Sequence, residues 1–139
     1  MKNVFEDNVY YGDTDAYGVV WHGAYLRWME KGRVLLCEEI GVDFNDLKEN
    51  KDVLLPVSSL NIRYKSSAKI GEKISVKTTI SRITPISVTF HQVISNSETG
   101  QVHTDAELVG VAVNKEGKLY RRFPEVLKEI FTEDVICND

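Results

Sequence analysis

Two carboxylates and a histidine lie close together in the sequence, between a β-prone segment and a helix-like segment. Asp13 and Asp15 stand in a turn-rich stretch, and His22 comes just before the helical pattern begins. A carboxylate can attack a carbonyl carbon or activate a water molecule, and the first amides of a helix stabilise an oxygen that gains negative charge. Asp15 and the amides of His22 and Gly23 would together supply what acyl transfer requires.

Two other interpretations of this cluster are available. Aspartates in turn-rich segments most often cap loops through their side chains. Two carboxylates and one histidine at these offsets match no common spacing of metal ligands, and Cys37 and Cys137 form no metal-binding cluster with the histidines. We therefore expect no metal site and no role for the two thiols, and we weigh catalysis by Asp15 against a purely structural loop.

The surrounding pattern predicts the elements that position the cluster. Residues 4–11 are β-prone, and apolar residues at helical spacing predict a helix over about residues 23–40. A polar segment follows at residues 45–52, and a short helix is expected from Pro124 to about residue 131. Further strands are predicted by apolar and polar alternation or by apolar runs over about residues 53–64, 73–80, 86–91 and 102–113.

Strands joined by short turns pair antiparallel, and an amphipathic helix must bury its apolar side against something. The pattern therefore predicts an α+β fold in one domain over residues 1–139, with a curled antiparallel sheet of about five strands wrapped around one long helix. Gly32 inside this helix costs about 1 kcal/mol relative to alanine. Its presence predicts a close approach of the sheet or of another helix at that point.

The charge composition limits the classes of molecule that the protein could bind. The 139 residues include 17 Lys and Arg against 21 Asp and Glu, for a formal net charge of −4. This balance argues against broad electrostatic binding to a nucleic-acid backbone or to an anionic bilayer. The N-terminal segment lacks the apolar core of a signal peptide or of a membrane span, so we expect a cytoplasmic protein without integral membrane association.

One motif spans the loop and the helix start: Asp13-Thr14-Asp15-x-x-Gly18-Val19-Val20-x-His22-x-x-Tyr25, followed by Trp28-x-Glu30. It resembles the signature of the hotdog-fold acyl-CoA thioesterases of the YbgC and 4-hydroxybenzoyl-CoA thioesterase family, and the similarity runs over about residues 9–131. The resemblance implies that Asp15 is the catalytic carboxylate, acting as nucleophile or general base. It also implies that the backbone amide of His22 polarises the thioester carbonyl while its side chain supports the site.

The resemblance implies substrate contacts as well. It places the nucleotide end of CoA near the turn between the third and fourth strands, where Arg82 is charged and Ser87 matches a small hydroxyl position of the family. Arg63, Lys65 and Lys69 form another basic cluster that could meet phosphates, although a solvated strand edge is the simpler explanation for them, as it is for Arg121 and Arg122. The expected substrate-binding residues are Gly23, Tyr25, Arg63, Lys65, Arg82 and Ser87, with Glu30 as a secondary catalytic candidate.

The leading hypothesis is hydrolysis of an acyl-CoA to free acid and CoA, with no cofactor. The alternatives are an acyl-carrier-protein thioesterase, a hotdog enoyl-CoA hydratase or dehydratase, and a non-catalytic acyl-thioester-binding module. In the resembling family two chains join into a longer sheet with active sites at their junction, so a homodimer or tetramer is expected. The stripe formed by Val109, Val111 and Val113 is the expected place of pairing with the second chain.

Overall fold

The computed structural model describes residues 1–137 as one five-stranded antiparallel sheet with helices. The strands are β1 (Lys2–Asn8), β2 (Val57–Tyr64), β3 (Lys73–Ile83), β4 (Val88–Asn96) and β5 (Val102–Gly110). Their order across the sheet is β1-β3-β4-β5-β2, and each neighbouring pair is antiparallel. This architecture confirms the predicted α+β hotdog fold.

The long helix α1 (His22–Glu39) packs on the sheet against β3, β1 and β4. Its buried side includes the apolar residues that the helical spacing singled out, namely Tyr25, Trp28, Met29 and Leu36. The predicted short helix is present as α3 (Glu125–Ile130). Among the described residues, no helix is both long enough and apolar enough to span a membrane.

A helix that the sequence pattern did not reveal lies in the polar segment after α1. This helix, α2 (Phe44–Lys51), begins after Asp43, whose side chain accepts a hydrogen bond from the amide of Asp46 at 3.0 Å. Leu47 is the one residue of α2 that is buried. With so little apolar burial, α2 has no stripe of hydrophobic residues that periodicity could reveal.

The close approach predicted at Gly32 is present. Gly32 faces Thr78 of β3 and Gln92 of β4, and a β-carbon there would lie 3.1 Å from the Gln92 side-chain nitrogen. The fully buried Gln92 donates to the Met29 carbonyl at 2.7 Å and to the Thr78 hydroxyl at 2.8 Å, and it accepts from Arg33 at 2.9 Å. Burial lowers the pKa of Arg33. A satisfied polar layer thus fixes the distance between α1 and the sheet.

The expectation that Val109, Val111 and Val113 continue the sheet into a second chain is wrong. β5 lies inside the sheet, and Val109 is paired on both sides, with Ser59 of β2 and Thr89 of β4. Val111 and Val113 follow the end of β5, and the backbone of each is hydrogen-bonded within the same chain. A stripe that is apolar on both faces therefore marks an interior strand here. The free edges of the sheet belong to β1 and β2.

We predict that Gly32→Ala destabilises the protein although alanine is the better helix former. The added methyl group must displace Thr78 or Gln92, which costs about 1–3 kcal/mol in a packed core. Urea denaturation measures the change, and Gly12→Ala is the matched control because a β-carbon added at Gly12 would meet no atom within 4 Å. A Gly32→Ala protein at least as stable as the wild type would contradict this account of the helix–sheet contact.

Candidate active site

Asp13 holds the loop between β1 and α1 in shape. Its carboxylate, in a residue only 5% exposed, accepts the amide of Tyr10 at 2.9 Å and pairs with the guanidinium of Arg27 on α1. Its carbonyl accepts the amide of Trp21, just before α1, at 3.0 Å. Asp13 thus connects the two ends of the loop. Its role is structural, as is common for aspartates in turn-rich segments.

Asp15 stands in the tight turn of a small hairpin formed by residues 14–20. Its amide donates to the Val19 carbonyl at 2.8 Å, and its carbonyl accepts the amide of Gly18 at 3.0 Å. Gly18 has a φ of 78°, which explains a glycine at the last position of the turn. The amide of Tyr17 bonds Asp15 Oδ1 at 2.8 Å. Asp15 Oδ2 has no hydrogen-bond partner within the described residues, and the side chain is exposed.

The helix start presents two amides without acceptors. His22 and Gly23 open α1, and neither N–H has a hydrogen-bond acceptor within residues 1–137. The next amide, that of Ala24, already bonds back to the Trp21 carbonyl at 3.1 Å. Because a β-carbon on Gly23 would overlap the Trp21 indole, glycine lets this ring lie over the first turn. The two amides and the helix dipole favour an oxygen that bears negative charge.

Asp15 and His22 line one pocket of about 310 Å³. The other lining residues are Val19, Val20, Tyr25, Tyr64, Lys65, Ser66 and Ser67. Sequence reasoning missed Tyr64, Ser66 and Ser67, because nothing in their local pattern shows that the chain after β2 returns to the start of α1. Among the described residues, no group of three or more His, Cys, Asp and Glu side chains could hold a metal ion.

Aromatic rings form the inner wall of this pocket. The His22 ring meets Tyr64 edge-on with ring centroids 5.0 Å apart, and Tyr64 lies 5.8 Å from Tyr25. Tyr25 is buried, and its hydroxyl accepts the amide of Ala68 at 3.0 Å. Burial raises the pKa of Tyr25. Tyr25 therefore supports the wall, and its hydroxyl is already engaged.

Five of the expected site residues do not line this pocket, and they are Gly23, Glu30, Arg63, Arg82 and Ser87. Arg63 lies in a cleft with His91 and Asp105, because alternation along β2 turns it to the face opposite Tyr64. Glu30 is exposed on the outer side of α1. Lys65, in contrast, does line the pocket.

Three arginines meet in a second groove, of about 550 Å³, at the turn between β3 and β4. They are Arg82, Arg121 and Arg122, and the expected Ser87 lies beside them. The amide of Phe123 donates to the Pro85 carbonyl at 2.8 Å, which brings the C-terminal segment back to the turn. The interpretation of Arg121 and Arg122 as part of a solvated strand edge misses this groove, because only the folded chain brings them beside Arg82.

The arginine groove and the Asp15 pocket lie at opposite ends of the sheet. Val109 of β5 lines the groove, whereas Thr104 of the same strand pairs with Tyr64 beside the pocket. Five residues of strand correspond to about 17 Å at 3.4 Å per residue. Within one chain, the arginine groove is therefore well separated from the exposed carboxylate of Asp15.

Comparison with known proteins gives a consistent result. Residues 9–131 match the model of the thioesterase-like superfamily. The chain is 39% identical over 118 residues to a candidate esterase from Synechocystis, over 84% of this chain and 70% of that protein. It is 33% identical over 88 residues to the acyl-CoA thioesterase YbgC of Haemophilus influenzae, over 63% of this chain and 65% of that protein.

A solved structure shares the fold. The 4-hydroxybenzoyl-CoA thioesterase from a Pseudomonas strain superposes with a TM-score of 0.82 at 19% sequence identity. The match covers 94% of this chain and 99% of that chain.

Proposed function

This chain belongs to the thioesterase-like superfamily and hydrolyses acyl thioesters, and from that premise we propose that Asp15 and the first amides of α1 carry out the reaction on an acyl-CoA. One observation carries the proposal. The exposed carboxylate of Asp15 and the unbonded amides of His22 and Gly23 belong to one small region at the start of α1. Acyl transfer needs both a base or nucleophile and a site for the oxyanion.

The two amides of His22 and Gly23 act on the thioester oxygen. As the carbonyl carbon is attacked, its π electrons move to the oxygen, and the two N–H donors and the helix dipole stabilise the resulting charge. The electron pair then returns, the C–S bond breaks, and the CoA thiolate leaves and takes up a proton. Nothing in this step depends on the imidazole ring of His22, which packs against Tyr64.

Asp15 acts through Oδ2, because Oδ1 is already bonded to the Tyr17 amide. As a general base, Oδ2 takes a proton from water while the water oxygen bonds to the thioester carbon. As a nucleophile, Oδ2 bonds to that carbon itself, expels the thiolate and forms a mixed anhydride that water then cleaves. Label in the Asp15 carboxylate after a single turnover in ¹⁸O-labelled water would establish the nucleophilic route, since water that attacks the Asp15 carbon of the anhydride leaves its oxygen there.

A second copy of the chain completes the site in this proposal. β2 is a free sheet edge, and its apolar side chains Val57, Leu60 and Tyr64 are 48%, 40% and 46% exposed. An exposed apolar edge strand is a template for pairing with another chain. Antiparallel pairing of β2 with its own copy would also cover the exposed Asp15 pocket, since Tyr64 lines that pocket.

The same pairing accounts for the two separated sites. In an antiparallel β2 pair, the Val57 end of one copy lies beside the Tyr64 end of the other. The arginine groove lies at the Val57 end, because Val57 pairs with Gly110 and Gly110 with Val88. The arginines of one copy would then face the Asp15 pocket of the other. A thioester at Asp15 with phosphates at Arg82, Arg121 and Arg122 fits an acyl-CoA better than a bare acyl group.

We predict that Asp15→Asn lowers kcat by about 10²- to 10⁴-fold, the range typical of a lost catalytic acid or base. Asparagine still accepts the Tyr17 amide, so the melting temperature should not change. Thiol release from short, long and aromatic acyl-CoAs measures the rate. Asp105→Asn, on the opposite face of the sheet, is the matched control. Equal rates for Asp15→Asn and wild type would remove Asp15 from the mechanism.

We predict that Arg121→Gln and Arg122→Gln each raise KM for acyl-CoA by about fivefold, the effect of losing one exposed charge pair. The same variants should leave KM unchanged for the acyl-pantetheine thioester, which lacks the nucleotide phosphates. Arg63→Gln is the control, because Arg63 lies on another face. If both substrates respond equally, the groove does not hold the phosphates.

We predict that the wild type sediments as a dimer or a larger assembly and that Leu60→Arg shifts it to monomer with reduced thioesterase activity. The reason is that an arginine near the middle of β2 would bring two positive charges together where the β2 strands of the two copies pair. Val4→Arg is the control, because Val4 is 51% exposed on the other sheet edge, β1. A wild-type monomer at micromolar concentration in analytical ultracentrifugation would rule out the shared site.

A further inference from the structure

His103 is a buried histidine that the proposed reaction does not use. It lies in β5 with 1% of its surface exposed, and both of its ring nitrogens have hydrogen-bond partners. Nδ1 lies 2.7 Å from Ser66 Oγ, and Nε2 lies 2.8 Å from Glu72 Oε1. Because Ser66 lines the Asp15 pocket, His103 contacts the pocket wall from its buried side.

Glu72 is a well-satisfied acceptor in this network. Its Oε1 also accepts from the Asn96 side chain at 2.5 Å, and its Oε2 accepts the amide of Lys69 at 2.8 Å. Burial by itself would raise the pKa of Glu72, but the hydrogen bonds from Asn96, Lys69 and His103 outweigh burial and lower the pKa. An ionised carboxylate can only accept, so Nε2 of His103 donates to Glu72, while Nδ1 meets the Ser66 hydroxyl, which also bonds the Val102 carbonyl at 2.8 Å.

Residues 65–72 form the wall loop, which joins β2 to β3. The contacts of His103 hold both ends of this loop. The first two amides of the wall loop donate to the His103 carbonyl at 2.8 and 3.3 Å. The His103 side chain bonds Ser66 near one end and Glu72 at the other. Within these eight residues, Ala68 is the one that is buried. With so little apolar burial, hydrogen bonds determine where the wall loop lies.

The wall loop is bonded directly to the hairpin that carries Asp15. The amide of Val20 donates to the Ala68 carbonyl at 2.9 Å, and Val19 pairs with Lys69 in an antiparallel bridge. The Val19 carbonyl in turn accepts the amide of Asp15 at 2.8 Å. A displacement of the wall loop therefore moves the backbone that presents Asp15.

We propose that His103 is a positioning residue for thioester hydrolysis. By bonding Ser66 and Glu72 it fixes the wall loop against the hairpin of residues 14–20, and so fixes Asp15 relative to the amides at the start of α1. This inference rests on the proposed role of Asp15. It gives a function to a buried polar network that would otherwise serve only to connect β5 with the loop.

His103→Leu tests the proposal, because leucine occupies a similar volume and makes neither hydrogen bond. The variant should lose kcat by about tenfold to a hundredfold, the effect expected of a misplacement near 1 Å, with KM within about threefold of the wild-type value. His103→Gln keeps a donor that can reach Glu72 and should recover part of the loss. His91→Leu, at a half-buried histidine on the outer face of the sheet, should keep the wild-type kcat.

Two further measurements separate positioning from general stability. Hydrogen exchange should become faster in peptides covering the wall loop and residues 14–20, and should stay unchanged in α1. In a double-mutant cycle, Ser66→Ala combined with His103→Leu should lower kcat by less than the product of the two single losses, because both changes remove the Ser66–His103 hydrogen bond, although Ser66→Ala also removes the bond from Ser66 Oγ to the Val102 carbonyl. Additive losses in the cycle would contradict the connection through Ser66.

The outcomes distinguish this inference from the proposed function. Wild-type kcat in folded His103→Leu, in an assay where Asp15→Asn is inactive, overturns the positioning role alone. Full activity of Asp15→Asn in the same assay overturns the proposed function instead. If His103→Leu does not fold, Ser66→Ala decides the question, because wild-type kcat together with unchanged hydrogen exchange in the wall loop would overturn the positioning role.

Discussion

The site depends first on the buried carboxylate of Asp13. This one residue accepts the Tyr10 amide, pairs with Arg27 on α1 and, through its carbonyl, accepts the Trp21 amide. A buried carboxylate is stable only when charge and hydrogen bonds compensate its lost hydration, so the loop has little freedom to rearrange around it. The two acids of the Asp-x-Asp motif therefore divide the work. Asp13 fixes the loop, and Asp15 is left exposed in the turn next to it.

Several features follow from local pattern and could be predicted from the sequence. Helical spacing identified the buried side of α1, because an amphipathic helix buries its apolar side whatever it packs against, and Trp28 and Met29 lie on that side. Gly32 indicated a close approach, since a helix interior rarely favours glycine without a steric reason. The position of Asp15 before a helix start could also be predicted, because Asp15 lies among turn-forming residues and the helical pattern begins soon after it.

The remaining features depend on how distant segments meet. The arginine groove needs residue 121 beside residue 82, which the hydrogen bond from Phe123 to Pro85 brings about. The polar contacts of His103 are equally non-local, because its partners Ser66 and Glu72 come from a loop more than 30 residues earlier in the chain.

The central claim is that Asp15 and the amides of His22 and Gly23 act on one thioester. Infrared difference spectroscopy of an acyl-CoA with a ¹³C-labelled thioester carbonyl, bound to the Asp15→Asn protein, tests both parts together. The proposed mechanism predicts that the thioester stays intact and that its C=O stretch moves to lower frequency than in water, because two helix amides polarise the bond. Continued hydrolysis, or a stretch unchanged from that of the free thioester, would contradict it.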